Sequence, residues 1–538
     1  MTSHSKKKIL WVGDSTATNS GYANYSREIL SRLHKTGKYN IVELACFGTI
    51  NSVINSQYPW KIYSNLFKNA EEEQVYNQAK VNSFGHFKFH DVVLEEKPDI
   101  VIDVRDWWMF AFEELSPLRK FYNWLIMPPI DSIPQPPQFL SSFRRADRVL
   151  SYSNWGKQEL EKCGIDVSGV PSPAINYDIF KPIDQTQCRN YLGIDSEDII
   201  ILSVMRNQKR KQYPDLIQAF SKLLDSNLPN NIKKRLKLYM HCQYPDAGWD
   251  MPKLLLNNKC VKNVLFTYKC EVCKKVYTDF FNDAKAYCKR CGKYAAVMPG
   301  SSFGVTETEL SAIYNASNLY TQYSSCEGFG MPMLEAAACG LKTYGVAYSA
   351  TKEVIENCGG TTIKPRTLYH DDAELLRSLP DNDDFISKIS PDLINYHILG
   401  KQKQYFASLA RSNYDYDKSC KIWEQAIDST ISKDWNAPPE IKEPLLADPN
   451  LNDNDFIKQS IIFTADRPDL INSYWEQDMM QSLAIGAITQ ERDSLLNDMS
   501  FMTDNKNRNK FDKEAFQKIC LQFKQQKNEL EKIRCGIQ

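Results

Sequence analysis

Residues 326–340 constrain this chain more than any other stretch. They read Cys326-Glu-Gly-Phe-Gly-Met-Pro-Met-Leu-Glu335, then Ala336-Ala-Ala-Cys-Gly340. The order predicts the end of a strand, a glycine-containing turn and the start of a helix. Pro332 suits a first helical turn, where its missing N–H would be unpaired anyway. The spacing puts one carboxylate, Glu327, in the turn and a second, Glu335, in the first turns of the helix. In such a unit the N–H groups of Gly330 and Met331, after Gly328 and Phe329, point at a bound diphosphate. The helix dipole favours its negative charge. Glu335 then projects back within reach of ribose hydroxyls, and Glu327 faces a sugar. These residue types fit a nucleotide-sugar site. The plain alternative is an ordinary strand–turn–helix unit with solvated glutamates.

The rest of the chain fits that reading. At 538 residues it is too long for one core, so two or more domains are expected. Short apolar runs at Ile9–Val12, Ile41–Phe47, Ile100–Val104, Trp124–Met127 and Val149–Tyr152 alternate with polar helices. A helix over Tyr22–Leu33 carries Tyr22, Tyr25, Ile29 and Leu33 on one face. This alternation predicts a parallel α/β sheet. Residues 166–185 are rich in Pro, Gly and Ser and read as a linker. A second series follows, with strands at Ile199–Met205, Leu236–His241, Val264–Tyr268, Leu319–Tyr323 and Thr343–Ala347.

The paired glutamates and their small-residue helix resemble the motif of the retaining glycosyltransferases of family 4, which have the GT-B fold of two facing Rossmann-like domains. The resemblance covers roughly residues 8–432. It implies an acceptor-side domain over 1–180 and a nucleotide-sugar domain over 181–417. A helix over 418–432 crosses back to the first domain, and 433–538 form a helical extension beyond the family pattern. In that extension 474–499 and 511–534 read as helices.

The resemblance also assigns roles. An Arg and a Lys after the first strand of the second domain grip the diphosphate. In Val204-Met-Arg-Asn-Gln-Lys-Arg-Lys211 these are Arg206 and Lys211. Such fixed cations neutralise a leaving group without a metal. The strings Asp381-Asn-Asp383 and Asp415-Tyr-Asp417 read as surface acids rather than metal ligands. The first domain supplies Ser20 and Gly21 at a helix N-terminus, suited to a phosphate. Where the family often has a His beside the reacting sugar, this chain has Asp131, in Met127-Pro-Pro-Ile-Asp-Ser132. Asp106, after Arg105, is the other candidate there, and a structural salt bridge between those two is an equal reading. Retention by front-face attack, with Glu327 orienting the donor sugar, follows from the resemblance, as does UDP as the default donor nucleotide.

Cys270-Glu-Val-Cys273 and Cys288-Lys-Arg-Cys291 form two Cys-X-X-Cys pairs separated by fourteen residues. This spacing predicts a structural zinc ribbon inserted over 268–294, with all four positions of the metal filled. Redox disulfides are the alternative. Around it, Lys269, Lys274, Lys275, Lys285, Lys289, Arg290 and Lys293 face only Glu271, Asp279 and Asp283. With Tyr277, Phe280, Phe281 and Tyr287 they suit nucleic-acid contact, or the insert is only a stability clip.

Lys+Arg and Asp+Glu both number 66, so no global field steers the chain to nucleic acid or membrane. No apolar run is long enough to span a bilayer or serve as a signal peptide. The fifteen cysteines read mainly as reduced thiols, which places the protein in the cytoplasm, of a host cell if phage-encoded. Trp11-Val-Gly-Asp-Ser15, Asp103-Val-Arg-Asp-Trp-Trp108 and the 204–211 string resemble a phage and viral branch. That branch points to hydroxymethylcytosine in duplex DNA as the leading acceptor, reached by flipping or locally opening the base. Cell-envelope, capsid or other glycan and protein acceptors are the alternative. A sugar- or DNA-binding protein that kept the fold without turnover is a third. Oligomeric state cannot be read from the sequence.

Overall fold

The computed structural model describes residues 6–436 except 19, 49–57, 115, 117 and 301–302. The extension expected over 433–538, with both its helices, lies outside the described residues from 437 onward.

The first domain is a six-stranded parallel sheet. Its strands are β1 (Lys7–Asp14), β2 (Tyr39–Cys46), β3 (Lys61–Ser64), β4 (Ile100–Asp103), β5 (Asn123–Ile126) and β6 (Arg148–Val149). They lie in the order β3-β2-β1-β4-β5-β6, the doubly wound arrangement. Six successive residues of β1, Ile9 to Asp14, are buried. Covering on both faces is why these strands read as unbroken apolar runs. The last strand is shorter than the Val149–Tyr152 run predicts. After Val149 the Ser151 N–H turns to Gly169 O, 3.1 Å away, and Ser153 caps the next helix by accepting from Gly156 N at 3.0 Å.

Helix α1 (Gly21–Lys35) packs Tyr25, Ile29 and Leu33 inward, as the periodicity predicts. Residues 168–184, within the expected linker, carry no helix or strand.

The second sheet repeats the order. Strands β7 (Ile199–Val204), β8 (Leu236–His241) and β9 (Val264–Cys270) lie on one side. The four-cysteine segment adds β10 (Val276–Phe280), β11 (Lys285–Tyr287) and β12 (Tyr294–Val297). Strands β13 (Leu319–Gln322), β14 (Lys342–Val346) and β15 (Thr361–Ile363) complete the other side. The path is β11-β12-β9-β8-β7-β13-β14-β15, with β10 also antiparallel to β9. The inserted segment therefore extends the sheet at one edge instead of standing apart from it. At the opposite edge a hairpin follows, β16 (Pro365–His370) with β17 (Leu376–Pro380).

The return helix, α2 (Tyr416–Asp428), packs back onto the first domain. Trp423 is fully buried against the first domain, and its Nε1 donates to Tyr25 Oη at 2.7 Å. The two acidic strings turn out to start helices. Asp415 accepts from Asp417 N at 2.7 Å, and Asp381 accepts from the N–H groups of Asp383 and Asp384 at 3.0 Å.

Candidate active site

Strands β7 and β13 are neighbours at the point where the order of the second sheet reverses, which is where ligands bind in open α/β sheets. The loops leaving their C-terminal ends are joined to each other. Ser325 N donates to Arg210 O at 2.9 Å, Gln212 N donates to Tyr323 O at 3.2 Å, and Lys211 and Ser324 form a β-bridge. This pairing carries the basic run of one loop onto the glutamate of the other.

Glu327 is buried and held on all sides. Lys211 Nζ pairs with its Oε1, Gln322 Nε2 donates to the same oxygen at 2.7 Å, and Arg210 Nη1 donates to Oε2 at 2.9 Å. Its own N–H donates to Ser349 Oγ at 2.9 Å. Burial pushes the Glu327 carboxyl up, but the Lys211 and Arg210 charges outweigh it and hold it down at about 2. Burial also pushes the Lys211 ammonium down, against the pull of Glu327. The cluster carries two cations against one carboxylate, so it keeps a positive charge for an anionic ligand.

The expected pair was Arg206 with Lys211. Lys211 is in the cluster; Arg206 is turned away to Asp246, at 2.9 and 3.1 Å, and is half-exposed. The second cation on Glu327 is Arg210, which the sequence reading did not single out. Nothing in a basic stretch interrupted by Asn207 and Gln208 marks which of its members faces a glutamate more than a hundred residues away.

The turn and helix after Glu327 form as predicted. The helix Met331–Ala338 has Pro332 in its first turn, and Gly330 before it sits at φ +98°, open to glycine at no steric cost. Phe329 packs edge-on against Tyr414, with ring centres 5.3 Å apart. Glu335 accepts from Tyr314 Oη at 2.7 Å, and burial pushes its carboxyl up to about 7.

Across the cleft, the first domain brings the Pro128–Pro129 loop against the turn. A side-chain carbon on Gly328 would come within 2.9 Å of Pro129 Cβ, so this glycine permits the approach. Asp131 accepts from Cys326 Sγ at 3.2 Å and from Arg377 Nη1 of β17 at 3.2 Å. Asp106 accepts from Tyr22 Oη at 2.9 Å. Burial pushes the Asp106 carboxyl up to about 6 against that hydrogen bond, and the Asp131 charge adds to the rise. Its expected salt-bridge partner goes elsewhere: Arg105 is fully buried and clamps Asp103. Ser20 caps α1, accepting from Ala23 N at 3.0 Å and donating to Asp14 Oδ2 at 2.5 Å. Gly21 has open space where a side chain would be.

Two facing doubly wound domains with an anion-ready cluster at the second switch point have clear relatives. Residues 302–391 match the family Glycosyl transferases group 1. The fold is GT-B, and residues 302–391 are similar to the group 1 glycosyltransferases. The HepE protein of Anabaena in complex with UDP and glucose aligns at 12% identity with a TM-score of 0.54, covering 79% of this chain and 100% of that one. Sucrose-phosphate synthase from Thermosynechococcus elongatus aligns at 14% identity and TM-score 0.53, over 79% of this chain and 98% of the other. The E. coli trehalose-6-phosphate protein bound with UDP-2-fluoro glucose gives 13% identity and TM-score 0.52, over 79% and 100%. No curated protein matches the chain by sequence.

The GT-B framework holds one further centre. The Sγ atoms of Cys270, Cys273, Cys288 and Cys291 all lie within 4.8 Å of one another. Cys270 to Cys291 is 3.7 Å and Cys273 to Cys288 is 3.6 Å. Disulfide sulfurs lie about 2 Å apart, whereas a tetrahedron with zinc–sulfur bonds of about 2.3 Å has edges of about 3.8 Å. The donor set therefore fits a four-thiolate metal. The two pairs are built alike. Lys274 N donates to Cys270 O at 3.0 Å, and Gly292 N donates to Cys288 O at 2.9 Å. Both residues are left-handed, at φ +59° and +67°.

The basic face expected on this insert is partly compensated, at three of its seven basic residues. Lys269 is buried and bonds Gly304 O and Glu309 at 2.9 and 3.0 Å. Lys285 pairs with Glu271 at 3.1 Å, and Lys289 with Asp279 at 2.9 Å.

Proposed function

We propose that this protein moves a sugar, with retention at the anomeric carbon, from a UDP-linked donor to an acceptor hydroxyl. The observation that carries the reading is the Glu327–Arg210–Lys211 cluster at the switch point of the second GT-B sheet, facing the first domain. The donor diphosphate would lie over Lys211 and Arg210 and at the Gly330–Met331 N–H groups, with Glu327 turned to the sugar and Glu335 to the ribose. In the transfer, the bond from the anomeric carbon to the diphosphate oxygen breaks as the acceptor oxygen attacks from the same face. The acceptor proton passes to the departing phosphate oxygen, and the nucleoside diphosphate leaves. Stabilising the charge on that oxygen is the work of the two cations. UDP is favoured because the HepE and E. coli neighbours are described with UDP or a UDP-sugar bound. We assign the four cysteines to a structural zinc, closed to chemistry because all its positions are filled.

Modified duplex DNA as acceptor rests on the three viral-like strings and the basic insert. The ion pairs of Lys269, Lys285 and Lys289 weaken the second support. A glycan acceptor is favoured by the aromatic and acidic lining of the cavity beside Asp106 and Asp131. The test is hydrolysis and transfer with a panel of UDP- and GDP-sugars. Donor breakdown that depends on Lys211 supports the reading. A folded protein that neither binds nor turns over any donor would instead be a GT-B binding protein without turnover.

A further inference from the structure

A cavity of about 620 Å³ lies between the first domain and the β16–β17 hairpin. Its size is that of a small-molecule site. One wall is first-domain, with Trp107, Trp108 and Phe139; the other is the hairpin, with Asp372, Glu374 and Arg377. Asp106 and Asp131 line it too, so it opens onto the polar groups nearest the turn of Glu327.

The hairpin is fixed there by cross-domain bonds. Leu376 N donates to Ile133 O at 2.7 Å, and Arg377 reaches Asp131. Trp107 is anchored, its Nε1 donating to Ser142 Oγ at 2.7 Å while its ring stacks on Phe139 at 4.7 Å. Trp108 is different. It lines the same cavity yet is 53% exposed, an indole left to solvent beside a cleft. Such a ring is a stacking platform for a flat or chair-shaped apolar face.

The charges decide what stacks. The cavity holds four carboxylates and one guanidinium, and that guanidinium is already committed to Asp371 at 2.7 Å and to Asp131 at 3.2 Å. A phosphate backbone or an anionic glycan entering here meets uncompensated negative charge. The carboxylates accept hydroxyl hydrogen bonds instead, and charged acceptors make those bonds strong.

Resting on the transferase reading above, we infer that this cavity takes an uncharged saccharide as acceptor, stacked on Trp108 and selected against anions by the hairpin. The platform and the acidic lip come from different domains, so the cavity is complete only where the two meet.

The test uses the full chain and measures binding to three sets of probes. These are neutral pyranoside oligosaccharides, uronic-acid oligosaccharides, and duplex DNA with and without hydroxymethylcytosine, each with UDP titrated in parallel. Neutral saccharides are expected to bind, and the anionic probes to bind at least about tenfold more weakly. Trp108→Ala, checked for folding by its melt, should weaken the neutral probes about tenfold or more. Asp372→Lys with Glu374→Lys should raise uronic-acid binding about tenfold. UDP binding without any neutral saccharide, or DNA bound more tightly than saccharides, overturns the inference and leaves the donor reading standing. Failure to bind UDP and saccharide alike overturns both. A folded Trp108→Ala protein with unchanged saccharide affinity removes the platform and with it the inference.

Discussion

Glu327 pairs with both Lys211 and Arg210, so on the proposed reading a donor diphosphate shares these two cations with Glu327. Removing Lys211 therefore acts twice. The Lys211→Ala variant keeps a buried carboxylate with one fewer partner, and breaking a buried pair costs about 3–5 kcal/mol. It also loses a fixed charge on the leaving group, which lowers turnover about 10²- to 10³-fold. A thermal melt and a single-turnover assay separate the two; normal turnover in a destabilised variant would move the leaving-group role to another cation. Glu335 makes a different prediction. Burial raises its carboxyl to about 7 in the folded protein, while the unfolded chain titrates near 4.5. The folded state thus holds the extra proton between those values, and the stability it contributes is lost as pH rises from about 4.5 to about 7. Glu335→Gln should flatten that part of the melting curve against pH, and an unaltered profile would show the proton is held elsewhere. The places of both glutamates were legible because they follow from local spacing on one turn and one helix. Arg210 was not, since its choice over Arg206 depends on Asp246 forty residues later capturing the other guanidinium.

At the scale of elements, the four-cysteine insert shows what spacing carries. The cysteine pairs told which four thiols would lie together, and each pair is followed by the same left-handed turn. Spacing did not tell that β12 would extend the main sheet by pairing with β9, because that pairing needs residues outside the repeat, such as Ala296 opposite Cys270. The hairpin was invisible for a related reason. Residues Arg366 to His370 of β16 are all exposed, so no apolar alternation marks the strand. The twin turns give a prediction. Gly292 suits its left-handed turn, but Lys274 holds the same conformation with a side chain, at about 1–2 kcal/mol. Lys274→Gly should recover about half to all of that, seen as a higher melting temperature of the zinc-loaded protein. Metal analysis of the same sample should find one zinc per chain, and Cys273→Ser should release it and lower the melt. A protein that melts identically with and without chelator would leave the four thiols without a structural metal.

For the whole molecule, the decisive feature is that the chain visits the first domain twice. It leaves through 168–184 and returns as α2, and both passages meet at one point. Tyr25 Oη of α1 donates to Pro171 O of the linker at 2.8 Å and accepts from Trp423 Nε1 of α2 at 2.7 Å. Trp423 also packs on Trp11 of β1, with ring centres 5.5 Å apart. Lys7 Nζ adds bonds to Ile427 O and Thr430 O at 2.8 and 2.6 Å. The resemblance implied a return helix but not this convergence, because Trp11, Tyr25, Pro171 and Trp423 are brought together only by folding. Since α2 packs on the first domain while the Glu327–Arg210–Lys211 cluster belongs to the second sheet, the two can be separated by mutation. Trp423→Ala deletes a fully buried ring and should cost about 3–5 kcal/mol. The expected pattern is a first domain that melts early, with UDP affinity kept by the second sheet and transfer to acceptor reduced because the platform and hairpin no longer face each other in register. Calorimetry alongside UDP titration reads this directly. If the melt stays single and unshifted, the return helix merely rides on the first domain. If UDP binding falls in step with the melt, the donor site depends on the whole molecule being closed, and the two domains act as one body.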